Sequence, residues 1–173
     1  MNNTKVLVLL SLLIGIGAVL HAVIPPIFMG VKPDMMLTMM FLGIILFPKN
    51  KYVLLVGVLA GIISALTTGF PGGQLPNIID KFVTAFAFFG LFLAVRKFST
   101  SVVSIVVLTA IGTLISGAVF LGSALFIAGL PGPFLALFAA VVLPATALNA
   151  GAMIIVYPIV NGIMKKSNIQ LLA

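Results

Sequence analysis

The chain has 173 residues, of which 62% are hydrophobic and 6% charged, and its net charge is +7 at pH 7. A water-soluble domain of this size cannot bury so many apolar side chains, so the composition excludes a soluble protein and indicates an integral membrane protein. Cysteine is absent and only one histidine and two acidic residues occur, which excludes disulfides and thiolate chemistry and argues against a metal site.

The apolar runs are long enough for membrane-spanning helices and lack the alternation of outer-membrane strands. Proline, glycine and short basic pairs divide them into segments. We predict an all-α integral membrane protein, a single transmembrane domain built as a six-helix bundle. The predicted spans are residues 6–24, 34–47, 52–70, 77–95, 102–128 and 134–164.

Two of these spans are irregular. The span 34–47 reaches only about 21 Å as a helix, so we expect it to sit shallow or to be completed by neighbouring loops. The span 134–164 contains Pro144 and Pro158, which predict a kink or a break inside it.

The basic residues predict the orientation of the bundle. Six crossings with a cytoplasmic N-terminus leave only Lys32 and Lys81 outside and place the other seven of the nine basic residues inside, as the positive-inside rule requires. We therefore predict that both termini are cytoplasmic and that the inner face suits anionic lipid headgroups. Nothing in this scattered arrangement indicates nucleic acid binding. The seven inner bases are Lys5, Lys49, Lys51, Arg96, Lys97, Lys165 and Lys166.

The four charges predicted on the outer face sum to zero. Asp34 starts the second span, where an acid interacts favourably with the positive end of a helix. Asn77 is the expected N-cap of the fourth span, which places Asp80 in its first turn. Asp80 and Lys81 point about 100° apart on a helix, so they need not pair. Two interpretations are open: helix capping with lysines that reach headgroups, or an outward-facing cavity with matched charges.

A cavity with matched charges suits a zwitterion such as an α-amino acid. Its carboxylate would meet Lys81, Lys32 or free helix N–H groups, and its ammonium would meet Asp80 or Asp34. Methionine and phenylalanine side chains would form the rest of the wall. The residues predicted to contact substrate are Asp34, Asp80, Lys81, Asn77, Lys32, Gln74, Asn149, Met36 and Phe82.

Three polar residues, two of them from this set, have further interpretations. Gln74 lies in a glycine-rich outer loop and is a candidate gate. Asn149 lies deep in the last span and is either an interhelical clamp or a substrate contact. His21, near the outer end of the first span, is expected to be a hydrogen-bonded interface residue. No catalytic or phosphate-binding motif is present, so we predict that the protein is not an enzyme and uses no cofactor.

Small residues form stripes on two predicted helices. Gly57, Gly61, Ala65 and Gly69 recur every four residues in the third span and predict close helix packing inside the bundle. In the first span, Ser11 and Gly15 form a shorter stripe, for which internal packing and docking of another membrane protein are both open.

Five blocks distributed along the sequence resemble the bacterial tryptophan transporter family called TrpP, and the resemblance extends over essentially the whole chain. They are His21-Ala-Val-Ile-Pro-Pro26, Val31-Lys-Pro-Asp-Met-Met36, Gly61-Ile-Ile-Ser-Ala-Leu-Thr-Thr68, Pro76-Asn-Ile-Ile-Asp-Lys81 and Phe138-Ala-Ala-Val-Val-Leu-Pro144.

The resemblance implies import of tryptophan across a bacterial plasma membrane. The family is similar in turn to the S components of energy-coupling factor transporters, which are six-helix proteins that capture vitamins from outside. In those proteins small residues of the first helix contact a transmembrane coupling protein attached to two ATPases. That contact would fall here on Ser11 and Gly15.

Two alternatives are open beside tryptophan import. One is an S component for a vitamin-type molecule, and the other is a membrane interaction protein that transports nothing. From the residues alone, the expected ligand is a small amphipathic or zwitterionic solute. The indole ring comes only from the resemblance.

Overall fold

The computed structural model of the protein describes residues 3–28 and 30–166, and the regular elements in this part are helices. Four of them are long and apolar enough to cross a membrane, counting Phe134–Lys166 as one continuous helix, and two shorter apolar helices accompany them. The prediction of an all-α membrane bundle is therefore confirmed. The elements are α1 (Asn3–Val23), α2 (Met35–Leu46), α3 (Asn50–Leu66), α4 (Gln74–Val95), α5 (Val102–Ile127), α6 (Phe134–Leu137), a π-helix (Phe138–Val142) and α7 (Leu143–Lys166).

The short helix α2 lies at the centre of the bundle. All twelve of its residues are buried, and it packs against α1, α3, α4, α5 and α7. A helix of this length covers only about 18 Å, but here protein rather than lipid surrounds its ends. A short helix normally cannot span a membrane, because the backbone polar groups at its ends would lie in hydrocarbon. In α2 the surrounding protein prevents this exposure.

Two predicted boundaries are wrong. Helix α3 ends at Leu66 instead of residue 70, because the chain turns through Gly72, whose φ is +71°. Helix α4 begins at Gln74, so Gly73 occupies the N-cap position that was predicted for Asn77. Pro76 is compatible with this earlier start because the N–H groups of the first helical turn have no acceptor within the helix.

Gly57 and Gly61 of the predicted stripe pack on α4, whereas Gly69 lies beyond the end of α3 and an added Cβ atom there would have no neighbour within 4 Å. A Cβ atom added to Gly57 would lie 2.9 Å from the Cβ of Ala85, and one added to Gly61 would lie 3.1 Å from the Cα of Ile78. Such close backbone approach is the main source of attraction between helices in lipid.

The last span is not broken: near Pro144 it widens locally into the π-helix Phe138–Val142, and at Pro158 helix α7 continues without interruption. The π-helix ends just before Pro144, whose ring would clash with the carbonyl of Ala140 in a regular α-helix. A wider turn removes that clash. Val142 then packs so closely on α5 that a Cβ atom added to Gly117 would lie 2.3 Å from one of its methyl carbons.

Side-chain contacts show how the helix ends are arranged. At one end of the bundle the Tyr52 hydroxyl donates to Asn3 at 3.0 Å, joining the starts of α3 and α1. Asp34, before α2, contacts Lys81 near the start of α4 and Asn149 in the first half of α7. Helices α1 and α3 therefore start at one end of the bundle and α2 and α4 at the other, where Asp34 and Lys81 meet.

Candidate functional site

A cavity of about 760 Å³ lies among the helices at this second end of the bundle. Its wall contains side chains from α3, α4, α5, the π-helix and α7, together with the segment that leads into α2. Its volume falls within the range of about 300–1,000 Å³ that is usual for small-molecule sites. The wall combines charged groups with an apolar surface, as an amphipathic ligand requires.

Lys81 is the centre of a buried ion cluster in this wall. Its Nζ atom lies 2.8 Å from Oδ2 of Asp34 and 2.8 Å from Oδ2 of Asp80. Asp80 and Lys81 do pair, although neighbouring positions on a helix point about 100° apart. Burying a charge is costly unless it is paired, and Lys81 has two partners.

Asp80 is enclosed by donors and is only 1% exposed. The hydroxyl of Thr84 donates to its Oδ1 at 2.8 Å, and the hydroxyl of Ser116 donates to its Oδ2 at 2.9 Å. Sequence reasoning did not identify Thr84, although its position four residues after Asp80 places it on the same helical face. These contacts join α4 to α5, and they saturate Asp80, which lines the cavity but is almost completely buried.

Asp34 is more accessible, because 25% of its side chain is exposed. Its Oδ1 atom accepts a hydrogen bond from the backbone N–H of Leu37 at 2.9 Å, so it is the N-cap of α2, as expected for an acid at a helix start. Nδ1 of His21 lies 3.5 Å from the same oxygen. The imidazole lines the cavity, and its Nδ1 atom has no hydrogen-bond partner among the described residues.

Asn149 is completely buried and acts as a clamp. Its Oδ1 atom accepts from the backbone N–H of Asp34 at 2.7 Å, and its Nδ2 donates to the hydroxyl of Thr113 at 3.2 Å. Of the two roles open for Asn149, the structure shows the interhelical one, and it fixes the backbone that carries Asp34.

Lys32 lies at the cavity with its ammonium available. Its Nζ donates to the backbone carbonyl of His21, and within residues 3–28 and 30–166 it forms no ion pair. Asn77 also lines the cavity, but its Nδ2 donates to the carbonyl of Gly73 at 2.8 Å.

Three predicted contact residues lie away from the cavity. Met36 is fully buried in the core around α2, because a central helix directs its methionines into packing. Phe82 is 43% exposed and packs on Phe86 along the outer surface of α4. Gln74 is exposed at the start of α4 and does not line the cavity.

Two aromatic rings do line the cavity. Phe70 and Phe120 form an edge-to-face pair with ring centroids 5.3 Å apart. Phe120 was not predicted, since one more apolar residue in an apolar helix carries no signal of its own. Within the part of the chain that the structure describes, no group of three or more histidine and acidic side chains is arranged to hold a metal ion.

Comparison with known proteins adds to this geometry. The family model described as "Tryptophan transporter TrpP" matches residues 3–165. A probable tryptophan transport protein of Bacillus subtilis (strain 168) is 61% identical over 166 residues, which cover 96% of each chain. Proteins with the same description from Clostridium acetobutylicum and Clostridium perfringens are 46% and 39% identical, with at least 94% of each chain covered. No solved structure matches this chain significantly, so the likeness to S components stays a prediction.

Proposed function

The chain belongs to the TrpP family of tryptophan transporters, and on that premise we propose that its cavity is the site where tryptophan binds for import. Tryptophan transport is the function that the family and the relatives indicate. It agrees with the prediction that the protein is not an enzyme. The relatives' shared description also favours tryptophan over the vitamin-type alternative.

The two acids differ in exposure, and this difference indicates which of them binds the ammonium group of the substrate. Asp80 already accepts from Lys81, Thr84 and Ser116, whereas Asp34 keeps part of its carboxylate at the cavity surface. Asp34 therefore receives the substrate ammonium. A charge-assisted hydrogen bond of this kind is short and roughly twice as strong as a neutral one.

Lys32 receives the substrate carboxylate. Lys81 is neutralised by two carboxylates at 2.8 Å, while Lys32 contacts only a backbone carbonyl. Lys81 balances one unit of the charge on Asp34 and Asp80, which leaves one net negative charge on this cluster and one positive charge on Lys32, so the cavity matches a zwitterion. Asn149 and the Lys81 cluster hold Asp34 in position for this contact.

The apolar wall receives the indole ring. Phe70 and Phe120 present an aromatic corner to the cavity, and Leu37, Leu121 and Val142 add aliphatic surface. An aromatic ligand gains from edge-to-face or offset contact with such rings as well as from its burial.

The cavity faces the extracytoplasmic side of a bacterial plasma membrane in this proposal. Seven of the nine basic residues belong to the opposite end of the helices or to the segments next to it. The positive-inside rule assigns that end to the cytoplasm. Import from outside, with both termini inside, follows from this orientation.

We also propose that the protein works as a substrate-capture subunit that docks through Ser11 and Gly15. Both residues lie on the exposed face of α1, and a Cβ atom added to Gly15 would have no neighbour within 4 Å. The face therefore admits close approach of a helix from another membrane protein, such as an energy-coupling factor transmembrane protein with its ATPases.

Equilibrium binding to the purified chain tests the proposed function. We expect tryptophan to bind with a defined stoichiometry while biotin, thiamine and riboflavin do not. Binding of a vitamin in place of tryptophan would contradict the proposal, and so would the absence of any binding. Uptake measured in cells without a coupling-factor ATPase then tests the capture role, since capture alone predicts that uptake is lost while binding remains.

A further inference from the structure

Ser64 is a buried hydroxyl without a partner in the cavity wall. It lies on α3 near its C-terminal end and is 3% exposed. Among the residues that the structure describes, its Oγ atom has no hydrogen-bond partner, although it lines the cavity. A buried polar group that lacks a partner is unfavourable, so a ligand that supplies the partner gains a hydrogen bond there.

Other hydroxyls in the protein show that this state is unusual. A serine or threonine in a helix commonly donates to the carbonyl four residues earlier. Thr67 does so with Ile63 at 2.8 Å, and Thr113 does so with Thr109 at 2.8 Å. The remaining cavity hydroxyls are also bonded, since Thr68 accepts from the N–H of Phe70 and Ser116 donates to Asp80. Ser64 is the one cavity hydroxyl, within the described part of the chain, that makes no hydrogen bond at all, so a ligand bond costs it no existing one.

The chemistry of tryptophan leaves one polar group without an assigned partner. Its ammonium and carboxylate are assigned to Asp34 and Lys32, and the indole N–H is a donor on an otherwise apolar ring. Burying that donor without an acceptor would reduce affinity. A serine hydroxyl accepts hydrogen bonds, while the apolar side chains around the cavity do not.

We propose that the Ser64 hydroxyl accepts a hydrogen bond from the indole N–H and thereby selects tryptophan over aromatic amino acids that lack this donor. This assignment deepens the proposed function and rests on it. A site that forms a hydrogen bond to one polar group discriminates strongly against analogues that lack the group, because its own partner is then left unpaired.

The test compares tryptophan with 3-benzothienylalanine, in which sulfur replaces the indole N–H at nearly the same size. We expect the wild-type protein to bind tryptophan about tenfold more tightly, as the loss of one buried hydrogen bond predicts. Ser64→Ala should reduce this ratio to about one by weakening tryptophan alone. Thr67→Val is the matched control, because its hydroxyl is already bonded to Ile63, and it should keep the wild-type ratio.

Each other outcome has a definite meaning. If Ser64→Ala weakens both ligands equally, the hydroxyl contacts the head group or only a water, and the proposal is overturned. If the unliganded Ser64→Ala protein unfolds at a lower temperature than the wild type, Ser64 has a structural role, and the proposal is again overturned. A wild-type protein that binds neither ligand overturns the proposed function itself, whereas binding of both with equal affinity overturns only the role of Ser64.

Discussion

Asp34 and Asp80 share Lys81, but their surroundings give them different tasks. Asp80 has three donors on its two oxygens and is 1% exposed, so it is saturated before any ligand arrives. Asp34 caps α2 with one oxygen and offers the other to Lys81 at the cavity surface. In the proposed function, one acid therefore supports the site and the other faces the substrate.

Replacing the supporting acid should destabilise the protein. In Asp80→Asn the side-chain amide would direct its N–H₂ group at existing donors, and Lys81 would lose one of its two counterions. Breaking a buried pair in this way costs about 3 kcal/mol or more. We expect a clearly lower unfolding temperature in detergent. Asp34→Asn is the control: it also removes a counterion of Lys81, but from a carboxylate that is 25% exposed, and asparagine caps helices about as well as aspartate, so it should change the unfolding temperature much less. Equal destabilisation by both changes would contradict this division of roles.

The charged part of the site was predictable, and the apolar part was not. Asp34, Asp80, Lys81 and Lys32 are rare charges in an apolar chain, so the positive-inside rule and the alternation of spans already bring them to one end. Phe82 illustrates the limit. A membrane helix is apolar toward lipid and toward the core alike, so hydrophobicity does not tell which face turns inward.

The two faces of α1 have different surroundings. Gly17 faces the bundle, where an added Cβ atom would lie 3.0 Å from the Cβ of Met39. Gly15, two residues earlier, faces outward with no neighbour within 4 Å. Successive residues of an α-helix are rotated by about 100°, so these two glycines point in nearly opposite directions.

Substitution of these two glycines separates folding from docking. We expect Gly15→Leu to leave the unfolding temperature and tryptophan binding unchanged, because the new side chain points into open space. Uptake in cells should nevertheless fall strongly if a partner docks on this face. Gly17→Leu should reduce the amount of folded protein, since the side chain would overlap α2 and overpacking typically costs about 1–3 kcal/mol. Normal uptake by Gly15→Leu would contradict docking through this stripe.

The helix boundaries show how local rules compete. Proline predicted a kink or a break in the last span, and the structure has a π-helical turn before Pro144 but a continuous helix through Pro158. Pro76 directly precedes the predicted N-cap Asn77, yet it lies within the first turn of α4, where proline is tolerated. The same residue type thus permits two placements, and only the packing of α4 on α3 selects one of them.

The orientation of the whole bundle makes a prediction of its own. The chain contains no cysteine, so a single introduced cysteine can be labelled without background. Gln74→Cys, at the cavity end, should react with a membrane-impermeant maleimide added to intact cells. Thr100→Cys, in the segment before α5, should react only after the membrane is permeabilised. The reverse pattern would show that the cavity opens to the cytoplasm.

The size and polarity of the cavity extend this reasoning to the molecule as a substrate binder. A volume of about 760 Å³ accommodates an amino acid with a bicyclic side chain. The bundle positions one accessible acid, one accessible base and an aromatic corner around it. Recognition of both charged groups of a zwitterion distinguishes such a protein from one that captures any apolar solute.

The most direct test of that claim is a calorimetric titration of wild-type and Asp34→Asn protein with tryptophan and with indole-3-propionate, which lacks the ammonium group. We expect the wild type to bind tryptophan at least about tenfold more tightly than indole-3-propionate, as one charge-assisted hydrogen bond predicts. In Asp34→Asn this preference should disappear because tryptophan binding weakens. A preference that persists unchanged in Asp34→Asn, or a wild type that binds both compounds equally, would contradict the account.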